Sequence, residues 1–309
     1  MTVAVSGSTG LIGTALVRQL KAAGHTVKPI LRHKPDDPTT AIHWDQAHGS
    51  IDAGAFAGVD AVVHLAGESI IGRWTESKRQ RIRDSRVNGT ALLSKALASL
   101  DPAERPGVLV SASATGYYGD RGDTELNDDA GPGKAGDGFL SEVCIAWEAA
   151  ADPARDAGLR VVHPRIGMVL AREGGALPTM LPAFRFGLGG TLGSGRQWVG
   201  WIHLDDLAGA LNACVQDDRL QGPVNAVAPH PVTNQQMTQL LGKVLGRPTI
   251  LPVPAFGAKL VFGELAEELL LASARVLPRK LESVGFDFSY PTMEAALRDL
   301  LDKPHEQAA

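Results

Sequence analysis

The sequence predicts an α/β protein built on a doubly wound parallel sheet, and three observations predict it. Short apolar runs of strand length alternate with longer helical patterns up to about residue 165. VSGSTGLIG, residues 5–13, sets Gly7, Gly10 and Gly13 three apart between the first strand and the first helix. The 309 residues, 44% hydrophobic and 21% charged, suffice for one large α/β domain with a smaller appendage.

The elements follow in order. Val3–Val5 reads as a short buried strand and Leu11–Ala23 as a helix, with Leu11, Ala15 and Leu20 near one face and Gly24 ending it. Thr26–Leu31 is the second strand, Asp60–Leu65 the third, Gly107–Ser111 the fourth and Arg160–His163 the fifth. Glu76–Leu100 and Leu140–Ala157 carry helical patterns between them. After about residue 170 the texture changes. Residues 174–197, rich in Gly and Pro, read as loop and short helix able to fold over a site, and Gln235–Leu245 as a helix. This divides the chain into a nucleotide-binding domain at 1–170 and a substrate region at 171–303, the latter holding a small C-terminal domain at about 248–301.

Composition excludes several classes. A net charge of −4 gives no field favouring nucleic acid or an anionic membrane. No apolar run reaches the roughly 18 residues of a membrane span, and nothing at the start reads as a signal peptide. Cys144 and Cys214 lie in no metal-binding or disulfide pattern, so no metal is expected and the expected setting is reducing and cytoplasmic.

The glycine loop has the context of a phosphate cradle. Gly7 permits the tight turn, Gly10 lets the backbone approach a pyrophosphate, and Gly13 lets the helix pack on the strand. Thr9, Leu11 and Ile12 complete the loop, and the helix start offers free N–H groups and the positive end of its dipole. The fold expected is thus Rossmann-type, with its pocket at the carboxyl ends of the strands.

The G-x-x-G-x-x-G spacing resembles the short-chain dehydrogenase/reductase superfamily in its extended, epimerase-like branch. HLAG (64–67), SRVNGT (85–90), SASATGYYGD (111–120) and WIHLDDLAGAL (201–211) are similar to its elements in order, so the resemblance covers about residues 1–230. GRW (72–74), LGGTLGSGRQ (188–197) and the VLPRKLESVGFDF tail (276–288) resemble an uncharacterised subgroup with a C-terminal domain of unknown function. The resemblance implies a nicotinamide cofactor, with Leu65, Ala66 and Gly67 beside its path. At the end of the second strand, where NAD-binding relatives place an acid, this chain has Leu31 and then Arg32, followed by His33 and Lys34. An acid there would repel a 2′-phosphate, whereas a guanidinium pairs with it, so NADP(H) is expected. Asp45 falls where relatives bind adenine, and reads equally as a turn aspartate. Arg86 is placed to reach a phosphate or to make a salt bridge.

Active relatives use a serine or threonine, a tyrosine, and a lysine four residues after the tyrosine, because a phenol near pKa ~10 needs a cation beside it to act as a base at neutral pH. Ser113 matches the serine, with Thr115 close by. Alignment on Glu148 puts Leu140 at the tyrosine position and Cys144 at the lysine position, and no lysine lies between 135 and 158. Three readings stay open: a different acid or base, with Tyr117 and Tyr118 the candidates and Glu142 nearby; a reactive Cys144 thiol; or a protein that binds NADP(H) and catalyses little. Arg73, Trp74, Arg196, Gln197 and Trp198 are candidate substrate residues, since Arg grips anions and Trp stacks; the alternative is that they anchor their loops. His64, His203 and Asp205 read as structural. The leading expectation is an NADP(H)-dependent oxidoreductase or nucleotide-sugar epimerase-like enzyme of atypical mechanism acting on a small molecule; the competing one is an NADP(H)-binding regulatory protein. A monomer, or a homodimer through helices near 76–100 and 140–157, fits either.

Overall fold

The computed structural model describes residues 1–37, 39–46, 48–134, 138–254, 256 and 266–302. In chain order the elements are β1 (Thr2–Ser6), α1 (Leu11–Ala22), β2 (Thr26–Leu31), β3 (Ile42–Asp45), β4 (Ser50–Ile51), β5 (Ala61–His64), α2 (Glu76–Ala98), β6 (Val108–Ser111) and β7 (Ser113–Ala114). There follow β8 (Glu125–Leu126), α3 (Phe139–Ala149), α4 (Asp152–Asp156), β9 (Arg160–Ile166), β10 (Met168–Leu170), α5 (Ala176–Arg185), β11 (Trp198–Val199), β12 (Trp201–His203) and α6 (Leu204–Gln216). The last are β13 (Gly222–Ala226), β14 (Val232–Thr233), α7 (Asn234–Leu245), β15 (Arg275–Val276), α8 (Arg279–Ser283) and α9 (Met293–Asp302).

The main sheet runs β13-β9-β6-β5-β1-β2-β3-β4, parallel except for the β3–β4 pair, with β7 also pairing β9. The order reverses between β1 and β5, and the crevice outside their carboxyl ends is where such sheets hold ligands. β1 is buried on both faces, which is why it reads as a continuous apolar run. Val3 and Val5 join a core with Leu16 and Leu20 of α1 and Leu207 and Leu211 of α6, whereas Ala4 joins a core with Leu93 and Leu97 of α2. A third core gathers Leu177, Leu181 and Phe184 of α5, Leu241 of α7, Leu297 of α9 and Trp201.

Several expectations shift. The helix expected over Leu140–Ala157 is two helices, broken at Ala150–Ala151, because Pro153 sits in the first turn of α4 and has no N–H to continue the ladder. The textural change near residue 170 does not end the sheet: α6 packs on α1 and β13 extends the sheet beside β9. GPVNA (222–226) escapes a sequence reading because Gly, Pro and Asn are poor strand formers, and pairing with β9 overrides them. Residue 303 lies outside the described residues. No helix among the described residues is long and apolar enough to cross a membrane.

The wall of the crevice is set by Ser6 and His64. Ser6 Oγ accepts the N–H groups of Leu65 (3.1 Å) and Ala66 (3.3 Å) and lies 2.6 Å from His64 Nδ1. With its lone pairs engaged, the hydroxyl donates to Nδ1, so Nε2 carries the imidazole proton. His64 is fully buried, and burial lowers its pKa to about 4. Above pH ~6.5 both folded and unfolded chains hold this histidine neutral; below it only the unfolded chain takes up a proton, until about pH 4. Unfolding in urea should therefore show stability falling between pH ~6.5 and ~4, with a His64 share of roughly 3 kcal/mol that His64→Gln removes.

Candidate active site

The glycine loop and the turn after β5 form one surface. Gly7 has φ +68°, and a Cβ there would stand 3.0 Å from Ala66 N and Leu65 C. A Cβ on Gly13 would stand 2.0 Å from Gly7 O, so only glycine lets α1 begin against the loop. Gly10 caps α1 without a side-chain hydrogen bond, and the first turn holds no acid. Thr9 and Gly10 are exposed, Leu11 and Ile12 half-buried. The first N–H groups of α1 thus face the crevice uncapped, as a pyrophosphate requires.

Arg32, His33 and Lys34 follow β2 as an exposed basic run, on the same sheet edge as the glycine loop. Asp45 is held by its own turn: its carboxylate accepts the His48 N–H (3.1 Å) and lies 2.8 Å from His48 Nδ1, contacts that hold it below the usual carboxylate range. That arrangement is the one the turn reading expects. Arg86 of α2 reaches the opposite wall. Its Nη1 donates to Glu68 O (2.9 Å) and Ile82 O (3.1 Å), and its guanidinium carbon stands 3.4 Å from where a Gly67 Cβ would be. The nearby carboxylate, Glu68, is already bridged to Lys78 at 2.7 Å.

Ser113 lies at the same carboxyl edge, beyond β6, and is buried. Its Oγ–H donates to Glu148 Oε1 at 2.7 Å. Glu148 also accepts from Arg165 Nε (2.8 Å) and Nη2 (2.9 Å), a bidentate pair in which Arg165 is almost wholly buried and Glu148 keeps a small exposed edge. Burial works against the Arg165 charge, but the Glu148 carboxylate outweighs it, and Arg165 holds its proton more tightly than usual.

The two tyrosines after the serine strand have different surroundings. Tyr118 is fully buried; its hydroxyl donates to Asn225 Oδ1 (2.6 Å) and accepts from Arg165 Nη1 (2.9 Å). Burial pushes it up to about 12. Tyr117 lies under the Arg165 guanidinium, 3.5 Å from ring centroid to cation, and burial raises its phenol too. The reactive-thiol reading also gives way: Cys144 is buried, and burial pushes its thiol up to about 12. Glu142 is exposed on the far side of α3.

The substrate candidates divide. Gln197 is buried and spends its amide N–H groups on Leu192 O and Leu270 O. Trp198 donates to Asp123 Oδ1 and stacks under Arg275. Both make the contacts that the loop-anchor alternative expects. Trp74 donates to Ile70 O and packs edge-on against Phe139 at 5.4 Å. Arg73 and Arg196 are exposed.

Arg165 and Glu268 carry no motif a sequence reading could use, and the Glu148 that anchored the alignment gave no sign of its partner. Arg165 and Glu148 meet only because the fold brings β9 beside α3. Glu268 comes from a π-helical turn, Ala266–Leu271, and its carboxylate accepts the N–H groups of Phe139 (2.9 Å) and Leu140 (2.7 Å), capping α3 from the C-terminal region.

Comparison with known proteins places this arrangement. Residues 3–226 match the model of the NAD dependent epimerase/dehydratase family, and residues 253–300 match a domain of unknown function, DUF1731. An epimerase family protein of Mycobacterium bovis, Mb2239, is 43% identical over 303 residues, covering 98% of each chain. The human epimerase family protein SDR39U1 is 39% identical, covering 97% of this chain and all of its own. The crystal structure of human SDR39U1 with NADPH matches with a TM-score of 0.87 at 37% identity, over 98% of this chain and 100% of that one. With the glycine loop, the switch-point crevice and the family model agreeing along the same residues, the chain belongs to the NAD-dependent epimerase/dehydratase family.

Proposed function

We propose that the protein is an NADP(H)-dependent oxidoreductase or epimerase-like enzyme that moves hydride at a carbon bearing an alcohol or its carbonyl. The observation that carries the reading is the glycine loop, where Gly13 stands against Gly7 and the start of α1 is left without a side-chain cap. The related human protein crystallised with NADPH supports the choice of cofactor, as does the basic run at Arg32.

Bound NADP(H) supplies the hydride acceptor or donor. Gly7, Thr9, Gly10, Leu11, Ile12 and Gly13 bind its pyrophosphate through backbone N–H groups. Arg32 pairs with the 2′-phosphate. Leu65, Ala66 and Gly67 line the adenosine path, and Arg86 offers a cation beside Gly67. Ser113 Oγ holds the substrate oxygen. Arg73, Trp74 and Arg196 belong to the substrate side.

The locked Tyr118 hydroxyl favours a second reading, an NADP(H)-binding regulatory protein without turnover. Ser113→Ala separates the two: it abolishes turnover in an enzyme and leaves both cofactor affinity and partner binding intact in a regulator.

Titration with NADPH and NADH, followed by tryptophan quenching, should show NADPH binding far more tightly. Arg32→Ala should weaken NADPH by about ten- to a hundred-fold, the worth of one charged hydrogen-bonded pair, and leave NADH nearly unchanged. Equal affinity for the two cofactors in the wild type overturns the assignment of Arg32. Gly13→Ala should abolish binding of both, because its Cβ cannot clear Gly7 O.

A further inference from the structure

We propose that Ser113 and Glu148 form a proton relay, with Glu148 the positioning residue that takes the proton behind Ser113. The proposal rests on the reading of the site as an NADP(H) enzyme and names the form of substrate it accepts.

The direction of one hydrogen bond carries it. Ser113 Oγ–H points to Glu148 Oε1 at 2.7 Å, so its proton is engaged and a substrate oxygen would meet its lone pairs. A serine held this way accepts a hydrogen bond from an alcohol. To donate to a carbonyl it would have to leave the carboxylate, unless Glu148 already carries a proton. Glu148 is itself fixed in place by the two hydrogen bonds from Arg165 Nε and Nη2. Tyr118 is engaged on both sides, and Cys144 is buried, which favours its thiol form.

The second observation is an exit. Glu148 also lines a cavity of about 420 Å³, open to solvent, between α3, β9, β13 and the loop at 128–131. Ser113 does not line it. Glu148 therefore bridges a buried serine at the carboxyl edge of the sheet and a water-accessible chamber. Among the described residues, the titratable and charged groups around it or lining the same chamber are Arg165, His163, Tyr117, Cys144, Asp128, Asp129, Asp152 and Arg155. His163 Nε2 lies 3.3 Å from Arg155 Nη2, which fixes it as a neutral acceptor and leaves the chamber polar.

The step balances. In oxidation of an alcohol, the substrate C–H bond breaks and its electron pair leaves as hydride to NADP⁺. The substrate O–H bond breaks as its proton passes to Ser113 Oγ. The proton of Ser113 moves to Glu148 Oε1, and the C=O bond forms. Glu148 then releases its proton to water in the chamber. Reduction runs the same path backwards, with NADPH as the hydride donor and Glu148 loaded from the chamber.

The test is an infrared difference spectrum between the NADPH and NADP⁺ complexes of the full-length protein labelled with ¹³C-glutamate. The Glu148 carboxylate band is assigned by its loss in Glu148→Gln. Should that variant not fold, Glu148→Asp keeps the charge opposite Arg165 and removes the labelled band. The relay expects the band to differ between the two complexes in the wild type, and expects the difference to fall by at least half in Ser113→Ala. A band that does not respond to cofactor state, or responds equally without the serine hydroxyl, makes Glu148 only the partner of Arg165 and overturns the relay. Tryptophan quenching on the same samples separates the two failures: with no NADP(H) bound, the cofactor reading falls and takes the relay with it.

Discussion

The buried pair of Glu148 and Arg165 is the contact on which the rest of the site depends. Two charges removed from water are stable only when every hydrogen-bonding position is filled. Here Arg165 gives Nε and Nη2 to Glu148 and Nη1 to Tyr118 and Asp128 O. Ser113 satisfies a further position on Glu148. Tyr118 passes the order on to Asn225, whose N–H is taken by Asp128, and Asp128 also accepts the N–H of Lys280 at the start of α8. One network therefore ties α3, β7, β9, β13 and the C-terminal region together, and the proposed catalytic serine is a member of it.

The network also accounts for the fate of the tyrosines. Two adjacent phenols after a serine strand look like acid–base candidates. Once Arg165 is buried in the sheet, though, it draws Tyr118 in as a hydrogen-bond partner and Tyr117 as an aromatic face. Both phenols are held in their protonated form by burial. Glu148 is the carboxylate that touches Ser113.

The C-terminal region is joined to the sheet domain by polar stitches. Glu268 caps α3, Ser273 receives the N–H of Trp198 and donates to Gly122 O, and β15 pairs with β8. Asp206 at the start of α6 accepts the N–H groups of Ser289 and Tyr290. Gln197 and Trp198 belong to this set of stitches. Their place in a Gly-rich loop left that role open beside a ligand contact, since such loops serve both.

The sequence by itself determined the parallel sheet and the glycine loop that opens α1. Those depend on local rules: apolar runs buried on both faces, glycine where a Cβ would strike the backbone, and a helix start left without a cap. β2 lies where the sequence puts it, and Gly7 and Gly13 are constrained as their spacing implies. Only the tertiary structure decided which polar side chains meet. Ser113 and Glu148 lie 35 residues apart, Leu140 and Glu268 lie 128 apart, and the direction of each hydrogen bond depends on what else competes for the same atoms. A sequence shows which groups can carry a proton. Packing decides which of them are spent on holding the protein together and which stay turned toward the cleft.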